Sequence, residues 1–318
     1  MDVLADYIPN EAKRRFCKIN NIPITIFSPD KIFQSRLDIY DKLYDSRRKW
    51  EQFLRDYSTF PNLEMYYEHY NSVKDSAINF IKKSSGFINF NKMDMEKYSI
   101  PTKYASFPSK SIYKDTNDRL HFVSIDMRMA NFTSLQMYDK SIFGGASTWE
   151  EFISGYTTLK SIIESKYIRQ VVLGNCNPGR QVAYEKYYMY HILKHLLNKD
   201  EFKDSDIESF TNDEIVIRYD GKNDSVGRIM KALSFIPMSK YRIEFYQIFK
   251  LGEYGWLKSY TNGWKELKCA EAEFVPMIIK SMEGKTINDE DLYFYYKGNV
   301  AKFLAVPEGI KRLEFPIK

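Results

Sequence analysis

Glu208-Ser-Phe-Thr-Asn-Asp-Glu-Ile-Val-Ile-Arg-Tyr219 is the stretch whose reading decides the fold class. It reads as a strand, a tight polar turn at Thr211-Asn-Asp213, and a second strand that sets Ile215, Ile217 and Tyr219 on one face. Period-two alternation on both sides of a short polar break is the pattern of an antiparallel hairpin. Upstream, Leu120-His-Phe-Val-Ser-Ile125 is a short apolar strand that ends on Asp126, and a helix-like stretch of about a dozen residues follows it. Downstream, Arg242 to Lys250 and Trp256 to Tyr260 read as further strands, and Ala272 to Met282 reads as a helix.

The rest of the chain is mostly helical in pattern. Residues 1–30 look extended, with Ile22-Pro-Ile-Thr-Ile-Phe27 alternating as a strand would and Ser28-Pro-Asp30 ending it. From Lys31 to Ser84 apolar residues recur at helical spacing, flanked by Arg36, Lys42, Arg47, Arg48, Lys49 and Arg55. Breaks fall near 58–61 and 83–86, and residues 85–118 read as a connector. Ser147-Thr-Trp-Glu150 is a capping-box pattern that opens a helix expected to run to about Leu173. Asn177-Pro178 caps the next helix, which runs to about Leu197. These elements predict an α+β protein with an antiparallel sheet, divided into a helical N-terminal region over 1–118 and a sheet-bearing region over 119–318.

Composition bounds the function class. The chain has 318 residues, 44% of them hydrophobic, enough for a real core. Its 25 Tyr and 22 Phe suit stacking on bases but suit an aromatic core at least as well. A net charge of +5 permits a phosphate-binding groove without requiring one. Cys17, Cys176 and Cys269 are odd in number and form no CxxC, which speaks against a disulfide framework or zinc ribbon and for a reducing, intracellular setting. No apolar run approaches the roughly 20 residues that span a bilayer, and the N-terminus does not read as a secretory signal. The expected location is the cytoplasm or nucleus.

Two aspartates carry the chemistry. Asp126 sits where a strand turns into a helix and Asp213 sits in a hairpin turn, so each alone has an ordinary reading as a cap or turn residue. Together, at the ends of strands that can lie side by side, they could hold two divalent cations about 3.5–4 Å apart. Mg2+ accepts one or two carboxylates plus substrate phosphate oxygens, so two aspartates suffice. Between them lies Ser165-Lys-Tyr-Ile-Arg-Gln-Val-Val-Leu-Gly-Asn175, in which Lys166 and Arg169 share a helix face and could grip a triphosphate. His191 and His195 are spaced as a metal pair on one helix, but no third ligand stands out. Gly144-Gly145 reads as a flexible turn and not a phosphate loop.

In this order the motifs are familiar. Val123-Ser-Ile-Asp-Met-Arg-Met-Ala-Asn-Phe132 resembles motif A of the family A DNA polymerases and the phage single-subunit RNA polymerases. Lys166 to Gly174, followed by Pro178-Gly-Arg-Gln181, resembles their motif B helix and the turn after it. Thr211-Asn-Asp-Glu-Ile-Val-Ile217 resembles motif C, with Asn212 where those proteins carry histidine. The pattern is most similar to a small transposon-and-virus polymerase family related to both groups. The resemblance implies a palm-like sheet, a thumb-like helical region over 31–84, and template-directed addition of nucleoside triphosphates to a primer 3′ end in an infected or transposon-bearing host.

It also implies Asp126 and Asp213 as ligands of two Mg2+ or Mn2+ ions, with Lys166 and Arg169 on the triphosphate. The basic pair is spaced by three here and by four in the relatives, which leaves open which of the two takes the main part. Asn131 would lie beside the sugar, where DNA polymerases carry Glu and the phage RNA polymerases carry Gly, and Arg128 would lie near the nucleotide. Glu214 and Asn212 are supporting hairpin residues. Arg180 and Gln181 are candidates for template contact or for capping, and Arg47, Arg48 and Lys49 for phosphate-backbone contact. Rival readings keep the aspartates as a metal-dependent nuclease, or keep only the shape as a catalytically silent nucleic-acid-binding protein.

Overall fold

The computed structural model describes residues 8–198 and 202–315. The first segment is helical from nearly its start. Helix α1 (Asn10–Asn20) places Ala12, Phe16 and Ile19 on one buried side and ends at Asn21, whose φ of 53° turns the chain out of the helix. This helix corrects the extended reading of residues 1–30 over its own span. The strand expected over Ile22–Phe27 is also absent: Ile22, Ile24 and Ile26 alternate into the interior as foreseen, but no neighbouring strand pairs with them.

Helices α2 (Asp30–Tyr44) and α3 (Ser46–Tyr57) are separated by Asp45 in the left-handed region, a break that apolar spacing alone does not mark. Helix α4 (Leu63–Lys83) is capped by the Asn62 side chain, which accepts the Met65 N–H. Ser84 caps α5 (Ser85–Lys92) in the same way, a helix within residues 85–118, which were expected to be a connector, and a single turn, α6 (Thr102–Ala105), interrupts the remainder.

Strand β1 (His121–Met127) runs one residue past Asp126 and feeds α7 (Ala130–Tyr138). The long helix expected from 147 to 173 is three short ones: α8 (Trp149–Ser154), α9 (Lys160–Ile163) and α10 (Lys166–Gly174). The Thr148 hydroxyl, not that of Ser147, caps α8. Gly155 ends α8 and Ser165 caps α10, so the apolar periodicity continues across breaks that small polar residues impose. Helix α11 (Pro178–Asn198) follows Asn177, which sits at φ 58°. Then come β2 (Ile207–Phe210), β3 (Glu214–Tyr219), α12 (Asn223–Ala232), β4 (Tyr241–Lys250), β5 (Trp256–Tyr260) and β6 (Lys265–Lys268). The chain closes with α13 (Val275–Met282), a hairpin of β7 (Tyr293–Tyr296) and β8 (Asn299–Lys302), and α14 (Glu308–Lys311).

The protein is thus α+β, with a six-stranded antiparallel sheet in the order β2-β3-β1-β4-β5-β6. Its two faces differ because side chains alternate. Val123, Ile125, Ile215, Ile217 and Phe245 are buried against Met189, Leu193 and Leu196 of α11 and Ile229 of α12. Each such side chain stabilises the fold by about 1.5–3 kcal/mol through removal from water. The opposite face carries Ser124, Asp126, Glu214, Arg242, Glu244 and Lys258 in register. Two further cores bind the N-terminal helices to later elements. One joins Tyr70, Val73 and Phe90 to Phe132, Trp149 and Val172; the other joins Phe16, Phe33 and Trp50 to Val275 and Ile279. No helix among the described residues is long and apolar enough to cross a membrane.

Candidate active site

The sheet register brings the two aspartates together. Asp126 is directly opposite Glu214 on β3 and opposite Arg242 on β4. One step along, the Met127 N–H donates to the Asp213 carbonyl at 2.8 Å, which docks the β2–β3 turn against the end of β1. Within the turn, the Thr211 hydroxyl accepts the Glu214 N–H at 3.0 Å and lies 3.2 Å from Asp213 Oδ1. The turn is therefore fixed by its own side chains.

Both carboxylates open into a cleft of about 790 Å³. Its far wall is the first turn of α10, which contributes Lys166 and Arg169, and its rim includes Asn131 and Arg128. With Asn212 and Gln181, eight of the residues singled out from sequence line this one concave site, although Lys166 and Asp213 are 47 positions apart. Lys166 is exposed. Arg169 is largely sunk, its guanidinium held below the usual arginine range by burial against a partial counter-effect from Glu150. Its Nε is buried with no hydrogen-bond partner. A buried N–H left without an acceptor is costly, and an anion in the cleft would answer it. Arg128 donates from Nε to the Met238 and Tyr241 carbonyls at 3.1 Å each, and so braces the approach to β4. Asn131 accepts the Phe132 N–H at 3.0 Å and remains half-buried at the cleft.

The carboxylates feel their confinement. Burial is the main force raising the Asp126 pKa; the neighbouring Asp213 adds to it, and Arg242, 2.8 Å from Oδ2, opposes it. Burial likewise raises Glu214, which the Lys258 ammonium partly offsets. Partly desolvated carboxylates across a cleft from a lysine and an arginine whose Nε has no partner are a pattern of functional sites.

Two residues that sequence reading missed belong here. Glu185, on α11, is only 3% exposed and accepts the Asn212 Nδ2–H at 2.6 Å. Burial raises its pKa to about 7; hydrogen bonds from Asn212 and Ser134 oppose that rise, and Asp213 adds to it. Arg242 pairs with Asp126 and, through Nε, approaches Glu244 at 3.4 Å. An acidic residue at a buried helix position was the available signal for Glu185. Arg242 had none, because its role depends on strand pairing.

The other candidates are engaged within the fold. Arg180 points to the Met93 carbonyl and lies 5.9 Å from the Phe90 ring, clear of the cleft. Gln181 is buried, its amide nitrogen bridging the Leu173 carbonyl at 3.0 Å and the Cys176 carbonyl, so it braces the α10–α11 turn and has no free donor for a template. Arg47 is held by Asp38 and Gln34, Arg48 by Asp45 and Glu164, and Lys49 by the Tyr44 carbonyl. The expected phosphate-binding strip is therefore a set of occupied cations on a helix face. His191 and His195 pack on Tyr187 and Phe235 rings, and no group of three His, Cys, Asp or Glu suited to a metal occurs among the described residues. That count does not bear on Mg2+, for which two carboxylates and substrate oxygens are enough. The donor set, two hard carboxylates at an open cleft with no sulfur or imidazole, fits Mg2+ or Mn2+.

Scans of the chain against protein-family models, curated proteins and solved structures return no match.

Proposed function

We propose that this protein is a template-directed nucleotidyltransferase that extends a primer 3′ end, with the six-stranded sheet as its palm and α2–α4 as a thumb-like element. One observation carries the reading. Asp126 and Asp213 stand side by side on one wall of a cleft whose other wall presents Lys166 and the incompletely paired Arg169. An anion that bridges a carboxylate-bound cation and two basic side chains is what a nucleoside triphosphate supplies.

Asp126 and Asp213 would hold two Mg2+ ions, which supply Lewis-acid activation of the 3′-hydroxyl and charge neutralisation at the leaving pyrophosphate. The chain's own groups do the rest. Lys166 and Arg169 bind and orient the triphosphate, Arg as a planar fork and Lys as a point charge. Asn131 borders the sugar. Glu185 positions Asn212 and with it the turn that carries Asp213. Such a site works by placement and by charge stabilisation of the transition state more than by covalent chemistry.

The test is incubation with primed template, labelled nucleotides and Mg2+ in all four combinations of DNA and RNA template with deoxy- and ribonucleotides. Extension of the primer supports the reading. Shortening would assign the same carboxylates to a nuclease, and an unchanged primer would leave a nucleic-acid-binding protein without catalysis.

A further inference from the structure

A second concavity, of about 650 Å³, meets α10 at Tyr167, the neighbour in sequence of the cleft-lining Lys166. Its walls are α1, the extended segment after it, Tyr44 at the end of α2, and Tyr167 of α10. It is lined by Arg14 and Lys18 and by no aspartate or glutamate. Arg14 and Lys18 are four apart on α1, both exposed, and neither makes an ion pair among the described residues. Like charges at that spacing repel and destabilise a helix unless something anionic lies over them.

Aromatic rings accompany the charges. The Arg14 guanidinium lies 5.5 Å from the Phe27 ring centroid and the Lys18 ammonium 5.1 Å from that of Tyr167. Cations beside aromatic faces along an open groove are the means by which proteins hold an unpaired strand: the charges follow phosphates while rings accept bases of any identity. The groove is also fixed relative to the cleft. Lys166 lines the cleft and its neighbour Tyr167 lines the groove, and the Ser165 hydroxyl at the head of α10 donates to the Ile19 carbonyl of α1 at 3.2 Å.

We infer that this groove binds single-stranded nucleic acid, namely the unpaired part of the template on its way to the carboxylate cleft. The template role rests on the nucleotidyl-transfer reading above; the binding does not. A strand lying over Arg14 and Lys18 reaches the cleft across the first turn of α10, the turn that carries the triphosphate-binding pair.

The experiment is fluorescence anisotropy of a labelled oligothymidylate against the full-length protein over a salt series. Wild type is compared with Arg14→Ala/Lys18→Ala and with Asp126→Asn/Asp213→Asn. Two lost phosphate contacts should make the slope of log affinity against log salt shallower by about 1.4 in the groove variant, since each contributes about 0.7 on a single strand. The aspartate variant should bind at least as tightly as wild type, since it removes negative charge at the end of the strand's path. An abasic strand of the same length should bind at least about fivefold more weakly, because base stacking is lost. Both groove side chains are exposed, so an unchanged melting temperature confirms that the variant is folded.

Unchanged affinity and slope in the groove variant would overturn the inference. So would polyglutamate competing as well as the oligonucleotide, which would make the occupant an acidic polypeptide. The two readings fail separately. If primers are not extended but strand binding depends on Arg14 and Lys18, the groove stands and the polymerase reading falls. If primers are extended and the groove variant binds normally, only the groove falls.

Discussion

Glu185→Gln gives the most direct check on the site's electrostatics. The native carboxyl titrates at about 7 instead of the usual 4.5, chiefly because it is buried. A raised carboxyl pKa means that the folded state binds the proton more tightly than the unfolded state. The charge therefore costs nothing below pH of about 4.5, costs progressively more from there to about 7, and is fully expressed above. At about 1.36 kcal/mol per unit, the full cost is on the order of 3 kcal/mol, and at pH 5 it is about 1 kcal/mol. Glutamine has the same shape, keeps an oxygen for the Asn212 amide, and never ionises. The variant should therefore melt higher than wild type, by a margin that widens between about pH 5 and 8.5. At roughly 2 °C per kcal/mol for a chain of this size, the widening should be about 4–5 °C. Melting followed by circular dichroism in the presence of a chelator measures it, because divalent cations would otherwise mask the effect. A margin that stays constant with pH, or narrows as pH rises, would refute the buried-charge reasoning for Glu185.

Three further outcomes follow from the same cleft. Asp126→Asn and Asp213→Asn should each reduce extension more than about a hundredfold, since even outer partners of a metal site are worth 10–100-fold, while the melting temperature falls by no more than a few degrees; extension within tenfold of wild type would remove that aspartate from the site. Lys166→Ala and Arg169→Ala should raise the apparent nucleotide KM or lower kcat by roughly 10–100-fold in steady-state assays at unchanged primer-template affinity, and the opposite split would move them to the strand-binding surface. Asn131→Gly should raise the ratio of ribo- to deoxynucleotide incorporation roughly tenfold by opening space beside the sugar, measured by competition between the two substrates. A falling ratio would mean that the Asn131 amide hydrogen-bonds the 2′-hydroxyl, and an unchanged one that it does not touch the sugar.

The sheet was legible because its information is local. Period-two alternation marks β3 and β4 without knowledge of their neighbours, and the polar interruption at Thr211-Asn-Asp213 marks the turn. Helix ends were less legible. Asp45 and Asn21 leave their helices in the left-handed region, and Gly155 breaks a run whose apolar spacing continues beyond it. The extended Ile22–Phe27 segment shows the limit of alternation as a signal: burial of every second side chain needs only one covered face, whereas a strand also needs a partner for its amides. Among site residues, strand-end aspartates and a basic helix face could be named from type and spacing. Arg47, Arg48 and Lys49 could not be separated from Arg14 and Lys18, because whether a surface cation is already paired depends on neighbours such as Asp38 and Glu164 that only the fold supplies.

The same dependence on neighbours explains how the open face of the sheet tolerates so many carboxylates. Lys258 is 6% exposed, its ammonium 3.9 Å from the Tyr246 ring, with Glu214, Glu244 and Glu266 as its charged surroundings. Burial lowers its pKa and those carboxylates sustain its charge, so the inner part of the face is balanced within the chain. The outer part is balanced differently. Arg242 bonds Asp126 at 2.8 Å and stands 3.4 Å from Glu244, so it holds two carboxylates at once. On the nucleotidyl-transfer reading, Asp126 would hold a divalent cation, and Arg242 would keep Glu244 as a counter-charge, so that its partly buried charge would not be stranded, which is what makes breaking an ion pair expensive. The open face thus carries an inner row of carboxylates around a buried lysine and an outer aspartate that shares its arginine with Glu244.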